Sequence, residues 1–281
     1  MPPSSETTTR TAPRTQSTSP WSRMPTWLRR TIIAIGLLGL WQAYVSLSGV
    51  SQFVFAGPWE VATALVSGWG SGEIARSTAT TLEMLAISMV VGVAGAVVLS
   101  VLSVLTSFGN DLVSLMSSMI NPLPSVAILP LAILWFGLTP TALIFVTTNA
   151  VLWPMTVNLS MGFRTVPKTI VMVGRNLGLS RWRLVRDILL PAALPHSLSG
   201  IRTAWAFGWR TIIAAELVFG VAGAQGGLGF FINEARYFAR IPEVFAGLVT
   251  IALIGIALEL LFSLLERRTV ARWGMKEGTN L

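Results

Sequence analysis

The chain has 281 residues, of which 53% are hydrophobic and only 11% charged, with a mean hydropathy of +0.68. Soluble domains carry roughly 25% charged residues, so this chain cannot coat a water-facing globule and is read as an integral membrane protein. The net charge of +8 does not point to nucleic acid, because the basic residues flank apolar segments and form no stripe on a soluble face; with no cysteine and one histidine, His196, disulfides and the usual zinc ligand sets are excluded.

Ten of the first twenty residues are Ser or Thr and four are Pro, the composition of a disordered tail, taken to run over residues 1–30. Trp21, Trp27 and Arg29-Arg30 then approach a membrane surface. Thr31–Leu47 is the first apolar span. Its alternative, a secretory signal, has against it the length of the run and the lack of an A-x-A site. Gly57-Pro58 is a turn, and Trp59–Val66 resembles a short interfacial amphipathic helix. Ser77–Leu105 is the second span, with Gly92 and Gly95 suited to close helix packing. After a break at Phe108–Asp111, the third span, Leu112–Phe136, is interrupted by Asn121-Pro122-Leu123-Pro124 and by Pro130. Membrane helices tolerate such prolines where neighbours or a polar cavity satisfy the freed carbonyls. Pro122 and Pro124 either bend the helix beside a path or serve packing alone. Ala142–Met161 is the fourth span and contains Asn149 and Pro154. A basic stretch over 164–195 follows, then the fifth span Ser197–Val218, a Gly-rich loop, the sixth span Val244–Leu265, and a polar tail over 266–281. The transmembrane domain is thus 31–265, an all-α protein of six spans of about 20 residues, each matched to a hydrocarbon core of about 30 Å.

With six spans both ends share one side. Fifteen Lys and Arg fall there, against Arg76, Arg236 and Arg240 on the other, which places both termini and the 164–195 loop in the cytoplasm. The only lysines, Lys168 and Lys276, follow Pro167 and Met275, so no G-x-x-x-x-G-K-[ST] phosphate loop exists. Any energy from ATP must come from a partner.

Within the loop, Met172–Pro191 carries Arg175, Arg181, Arg183 and Arg186 against one acid, Asp187. Gly178 suits a left-handed cap on a first short helix, Pro167–Gly178. Ser180 suits the N-cap of a second, Trp182–Leu190, halted by Pro191. The result is a helical elbow with arginines on its surface. The run resembles the cytoplasmic loop of binding-protein-dependent ABC importer permeases, E-A-A-x3-G-x9-I-x-L-P, with Gly178, Ile188, Leu190 and Pro191 in place; Met172, Val173 and Gly174 replace E-A-A. Similarity to the nitrate/sulfonate/taurine branch extends to N-P-L-P-S-V-A-I-L-P-L-A-I-L-W-F-G (Asn121–Gly137), L-P-x-x-L-x-G-I-R (Leu194–Arg202), A-A-E-L (Ala214–Leu217) and G-L-G-F (Gly227–Phe230).

The resemblance implies a type I ABC importer permease in the plasma (inner) membrane, moving a small sulfonate-, nitrate- or taurine-like solute into the cytoplasm. It implies a second permease copy, often as a homodimer, two cytoplasmic ATPase subunits that hold ATP and Mg, and an external solute-binding protein. It implies alternating access driven through the elbow, at Leu177, Gly178, Ser180, Arg181, Arg183, Ile188, Leu190 and Pro191. No cofactor is expected on this chain, and lipid but no nucleic acid among its partners.

For the path, Arg202, Trp205 and Trp209 recur at i, i+3 and i+7 on the fifth span. They either guide a small anion, or Arg202 snorkels while the indoles pack. Arg210 lies deeper and needs a partner such as Glu216, or water; Asn149 is a further candidate. The loop at Gly226–Gly229 either meets the binding protein, shapes an outer gate, or is a plain Gly-rich turn. The alternatives to an importer are a proton-coupled carrier or channel, and a membrane-embedded enzyme, for which Glu216 and Glu259 are isolated acids.

Overall fold

A computed structural model describes residues 24–51, 53–219 and 226–272, with side-chain surroundings as far as Leu265; the described secondary structure is helical, with no strand among the described residues. The chain divides into two units, residues 1–50 and 51–281.

The first unit holds α1, Thr26–Ser48, closed by Gly49 at a left-handed φ of 61°. The helix begins five residues before the expected Thr31. Pro25 sets its entry, and the Pro25 carbonyl accepts the Leu28 and Arg29 N–H groups. Residues 26–30 of the expected tail are therefore helical, and residues 1–23 lie outside the described residues.

In the second unit, α2 (Pro58–Gly70) starts on Gly57, whose N–H donates to the Glu60 carboxylate at 3.0 Å, with Pro58 at the first helical position. α3 (Glu73–Leu105) is 33 residues long, roughly 50 Å at 1.5 Å per residue. It ends at Thr106, whose hydroxyl accepts the Gly109 N–H at 2.9 Å and caps α4, Ser107–Ile120. The break thus falls at Thr106, ahead of the expected Phe108–Asp111.

The third span is sharply bent. α4 and the segment Ser125–Phe136 meet at 95°. That segment is a 3₁₀ turn, Ser125–Ile128, running into α5, Leu129–Phe136. Pro122 and Pro124 each remove an N–H from the connection, so the helix cannot continue through it. Pro130, expected to interrupt, instead sits at the start of α5, where a missing N–H costs nothing.

α6 (Pro140–Thr165) is the central helix, flanked by α3 and by α10, Leu194–Phe219. Glycine lets these helices approach closely. A Cβ on Gly92 would sit 2.6 Å from Val151 Cγ1, and one on Gly95 would sit 2.6 Å from Leu152 Cδ1. Gly92→Val should therefore destabilise the fold by about 1–3 kcal/mol through overpacking. A lowered thermal melting point in detergent would register it, and an unchanged one would mean that α3 can move off α6 freely.

Leu85, Val146, Ile212, Leu228 and Phe231 join α3, α6, α10 and α11 (Leu228–Tyr237) in one core. α12 runs from Ile241 to Arg272, so residues 266–272 of the expected polar tail continue the helix; residues 273–281 lie outside the described residues. α2 packs against α3 and α12, leaving Trp59 and Trp69 exposed. By length and apolarity α1, α3, α6 and α12 can each cross a membrane, and the bent pair adds a fifth crossing if it spans. The remaining expected span, α10, has 26 residues, enough for about 39 Å, but it carries Arg202, Arg210 and Glu216.

Candidate functional site

Three groups of polar residues stand out, one at each end of the α3–α6–α10 bundle and one between. At one end is the elbow. Its first arm is α7, Lys168–Asn176. Gly178 then takes φ 76°, a conformation that glycine adopts without strain, and the Leu179 N–H returns to the Gly174 carbonyl at 3.1 Å. Ser180 caps the second arm by accepting the Arg183 N–H, as its position predicts. That arm does not stop at Pro191. α8 (Arg181–Leu184) widens into a π-type turn, Val185–Leu189, where the Leu190 N–H reaches back five residues to the Val185 carbonyl; α9, Leu190–Ala192, follows with Pro191 at its start. The wider turn accommodates a residue that has no N–H to give and whose ring would crowd a regular α-helix.

Gly174, in the third E-A-A place, is where the arms touch: a Cβ there would meet Ile188 Cδ1 at 2.8 Å. Beneath, Phe163, Val166, Leu184, Val185, Leu189 and Ala193 form a separate apolar cluster with Ile188 and Leu190 packed on it. Ile188 and Leu190 therefore hold the elbow onto the bundle. Arg181 does likewise, since its Nη1 donates to the Leu105 carbonyl at 3.0 Å and caps the end of α3. Leu177, Arg183 and Pro191 are exposed, as is Ser180 at the N-cap itself. Sequence reasoning named Leu177, which is 76% exposed, but missed two further exposed apolar side chains of the elbow, Val173 and Trp182. Only the fold distinguishes Trp182 from buried Leu184 two positions on.

Between the ends lies the face of α10 that meets α12. Arg202 is ion-paired with Glu259 on α12, its Nε donating to Oε1 at 3.1 Å. Trp205 and Trp209 stack with centroids 5.7 Å apart, both nearly buried, and Trp205 also meets Phe262 at 6.0 Å. The indoles thus pack on each other while also lining, with Arg202, one wall of a cavity, and Arg202 has a partner in Glu259, an acid isolated in the sequence. Arg210 is exposed and has no hydrogen-bond or ion-pair partner among the described residues. It lines a cavity of about 360 Å³ with Asn121, Pro122, Pro124, Asn149 and Trp153. It also lines a second cavity, of about 690 Å³, with Arg202 and Glu259. The Asn149 side-chain oxygen accepts the Trp153 indole N–H at 2.9 Å, which fixes that amide at the rim.

Glu216 is not brought to Arg210. It is 2% exposed, at the end of α10 opposite the elbow. Its carboxylate accepts the Thr81 hydroxyl at 2.9 and 3.1 Å and the Gly229 N–H at 2.7 Å, while Thr81 accepts the Leu228 N–H at 2.8 Å. A Cβ on Gly227 would overlap the carboxylate, and one on Gly229 would lie 2.7 Å from the Ile213 carbonyl. A-A-E-L and G-L-G-F are the two halves of one latch that pins the start of α11 to α3 and α10. Residues 220–225, between the halves, lie outside the described residues.

Residues 96–271 match the family described as binding-protein-dependent transport system inner membrane component. The chain is 30% identical over 260 residues to a putative aliphatic sulfonates transport permease protein of Escherichia coli strain K12, covering 90% of this chain and 97% of that protein. It is 28% identical over 249 residues to the taurine transport system permease protein of the same strain, covering 85% and 89%. It is 31% identical over 265 residues to a riboflavin transport system permease protein of Chloroflexus aurantiacus, covering 94% and 96%.

Proposed function

The chain belongs to the family of binding-protein-dependent transport system inner membrane components, the permease subunits of ABC transporters in the sulfonate and taurine branch, and on that premise we propose that it carries a small organic anion inward by alternating access. A permease of this family works with an ATPase and a solute-binding protein. In our reading two ATPase subunits, holding ATP and Mg, each dock on one elbow of a permease homodimer. Both termini and the elbow lie in the cytoplasm, in keeping with the excess of basic residues there. The binding protein delivers solute at the latch end.

Arg210 carries the choice of an anion. A riboflavin permease among the relatives means that the family does not by itself supply the solute's charge. Arginine within a membrane helix faces protein or a water-filled cavity, pairs with an opposite charge or backbone carbonyls, and marks substrate or ion pathways. Arg202 has Glu259, whereas Arg210 has none among the described residues and lines cavities on the α10 face. A passing sulfonate or carboxylate would supply the missing charge, with Asn149 and Asn121 offering amides beside it.

The test is uptake by the complete complex in proteoliposomes, with taurine and short alkanesulfonates as candidate solutes. Arg210→Gln should lower ATP-driven uptake by roughly 10–100-fold, the value of a charge-assisted hydrogen bond of about 1.5–3 kcal/mol, while Arg210→Lys retains much of it. Subunit assembly should be unaffected in both. Uptake by Arg210→Gln at the unsubstituted rate would remove the anionic path, and uptake that persists without ATP would remove the importer.

A further inference from the structure

A cavity of about 800 Å³ lies at the elbow end, away from the α10 face, between the ends of α3 and α6, the flank of α4 and the first arm α7. Arg164, Lys168 and Arg175 line it and no carboxylate does. Among the described residues these three cations have no hydrogen-bond or ion-pair partner. Ser117 and Ser160 line it as well, and their hydroxyls are buried without a hydrogen-bond partner. Buried hydroxyls are normally paired, so two orphans facing one space ask what fills it. Water would pair both hydroxyls, but three exposed cations around one space with no carboxylate among them also suit an anionic group, held by charge-assisted hydrogen bonds. The rest of the wall is largely apolar, including Val113, Val157, Phe163 and Leu184.

We infer that this cavity is a binding site for an aliphatic molecule with an oxyanion head, a sulfonate or a phosphate. The head engages the three cations and the two serine hydroxyls, and the aliphatic body lies along the apolar wall. The volume falls within the roughly 300–1,000 Å³ of small-molecule sites and is far more than a bare ion needs. The site is separate from the α10 face, since Arg210 and Asn149 do not line it. Its walls come from both the spans and the elbow: Arg164 and Ser160 from α6, Ser117 from α4, and Lys168 and Arg175 from the elbow. An occupant therefore bridges the elbow to the spans, where it acts on the coupling between ATPase and membrane domain. The same chemistry is available from two sources, an anionic phospholipid of the adjoining leaflet or a free organic anion on the elbow side.

The experiment uses the complete complex in nanodiscs, in an Arg210→Gln background that removes the unpartnered cation of the α10 face. One arm titrates labelled octane-1-sulfonate onto complexes in phosphatidylcholine alone. The other measures retention of phosphatidylglycerol over phosphatidylcholine from mixed bilayers by native mass spectrometry. Saturable binding in the first arm assigns the site to a free anion, and selective retention in the second assigns it to lipid. In either case Arg164→Gln/Lys168→Gln/Arg175→Gln should weaken the interaction about tenfold or more, one charge-assisted contact being worth at least that. Lys168→Gln alone, at an exposed position, should weaken it measurably. No binding in either arm, or binding unchanged in both variants, overturns the assignment. Because neither readout is transport, its failure is distinct from that of the Arg210 reading.

Discussion

Leu177→Asp/Trp182→Asp is expected to strip the ATPase from the complex. These side chains are 76% and 56% exposed, on an elbow that also exposes Met172 and Val173 while burying Leu184, Val185 and Leu189, and its sequence is rich in arginine. Exposed Leu and Trp beside Arg are what a docking surface offers, and a central Trp in such a surface is commonly worth about 2–4 kcal/mol on truncation. Loss of both contacts, with two carboxylates forced against the partner, should weaken association by at least about 100-fold. Co-purification of a co-expressed ATPase measures this directly. Arg181→Ala makes the contrasting control. Its guanidinium is committed to the Leu105 carbonyl, so the variant should still hold the ATPase but transmit its motion to α3 less well, seen as ATP hydrolysis with reduced uptake. If the double aspartate variant brings down as much ATPase as the unsubstituted chain, docking lies elsewhere.

The second large effect is at the other end. Glu216→Leu should unfold the latch, because the Gly229 N–H and the Thr81 hydroxyl both lose a buried carboxylate acceptor. Each orphaned donor costs about 1–3 kcal/mol, so the total is about 2–6 kcal/mol. At about 2–4 °C per kcal/mol for a chain of this size, that is a drop of roughly 4–24 °C in melting point. Glu216→Gln keeps an acceptor oxygen and should lose less. Gly227→Val should resemble Glu216→Leu, since its side chain would take the carboxylate's place. Tryptophan fluorescence on heating follows all three. A lining residue of a water-filled path behaves in the opposite way, with altered transport and unchanged melting, so Glu216→Leu melting normally would return Glu216 to the path.

The two ends are joined by α3 and α10. Thr81 of the latch and Leu105 under Arg181 lie on one helix, 24 residues and about 36 Å apart. One continuous helix thus connects the elbow to the latch.

Much of this was legible without coordinates, because it depends on local pattern. Apolar runs of about 20 residues predict the long helices. Gly178 and Ser180 predict the elbow and its cap, and Gly92 and Gly95 the close approach of α3 to its neighbour. Pro122 and Pro124 predict a bend, although the angle of 95° depends on how α5 packs against α6 and is not written in the prolines. Two other prolines read differently once folded. Pro130 opens α5 where an interruption was expected, because the bend ahead of it made its position a helix start. Pro191 did not end a helix, because a π-type turn took up the strain.

What the sequence by itself determined is the class of molecule, the order of its apolar segments, and the elbow, since each follows from composition, spacing or the conformational limits of single residues. What only the tertiary structure decided is which charge meets which. Arg202 finds Glu259 from 57 positions away and Glu216 finds Thr81 from 135 away, and these pairings leave Arg210 without a partner among the described residues. In a membrane interior the cost of an unpaired charge makes such pairings decisive, yet they join residues whose separation in the chain carries no periodic signal. The same holds for the cavity under the elbow. Its three cations read as an ordinary excess of positive charge on the inner side until the helix ends are folded around one space.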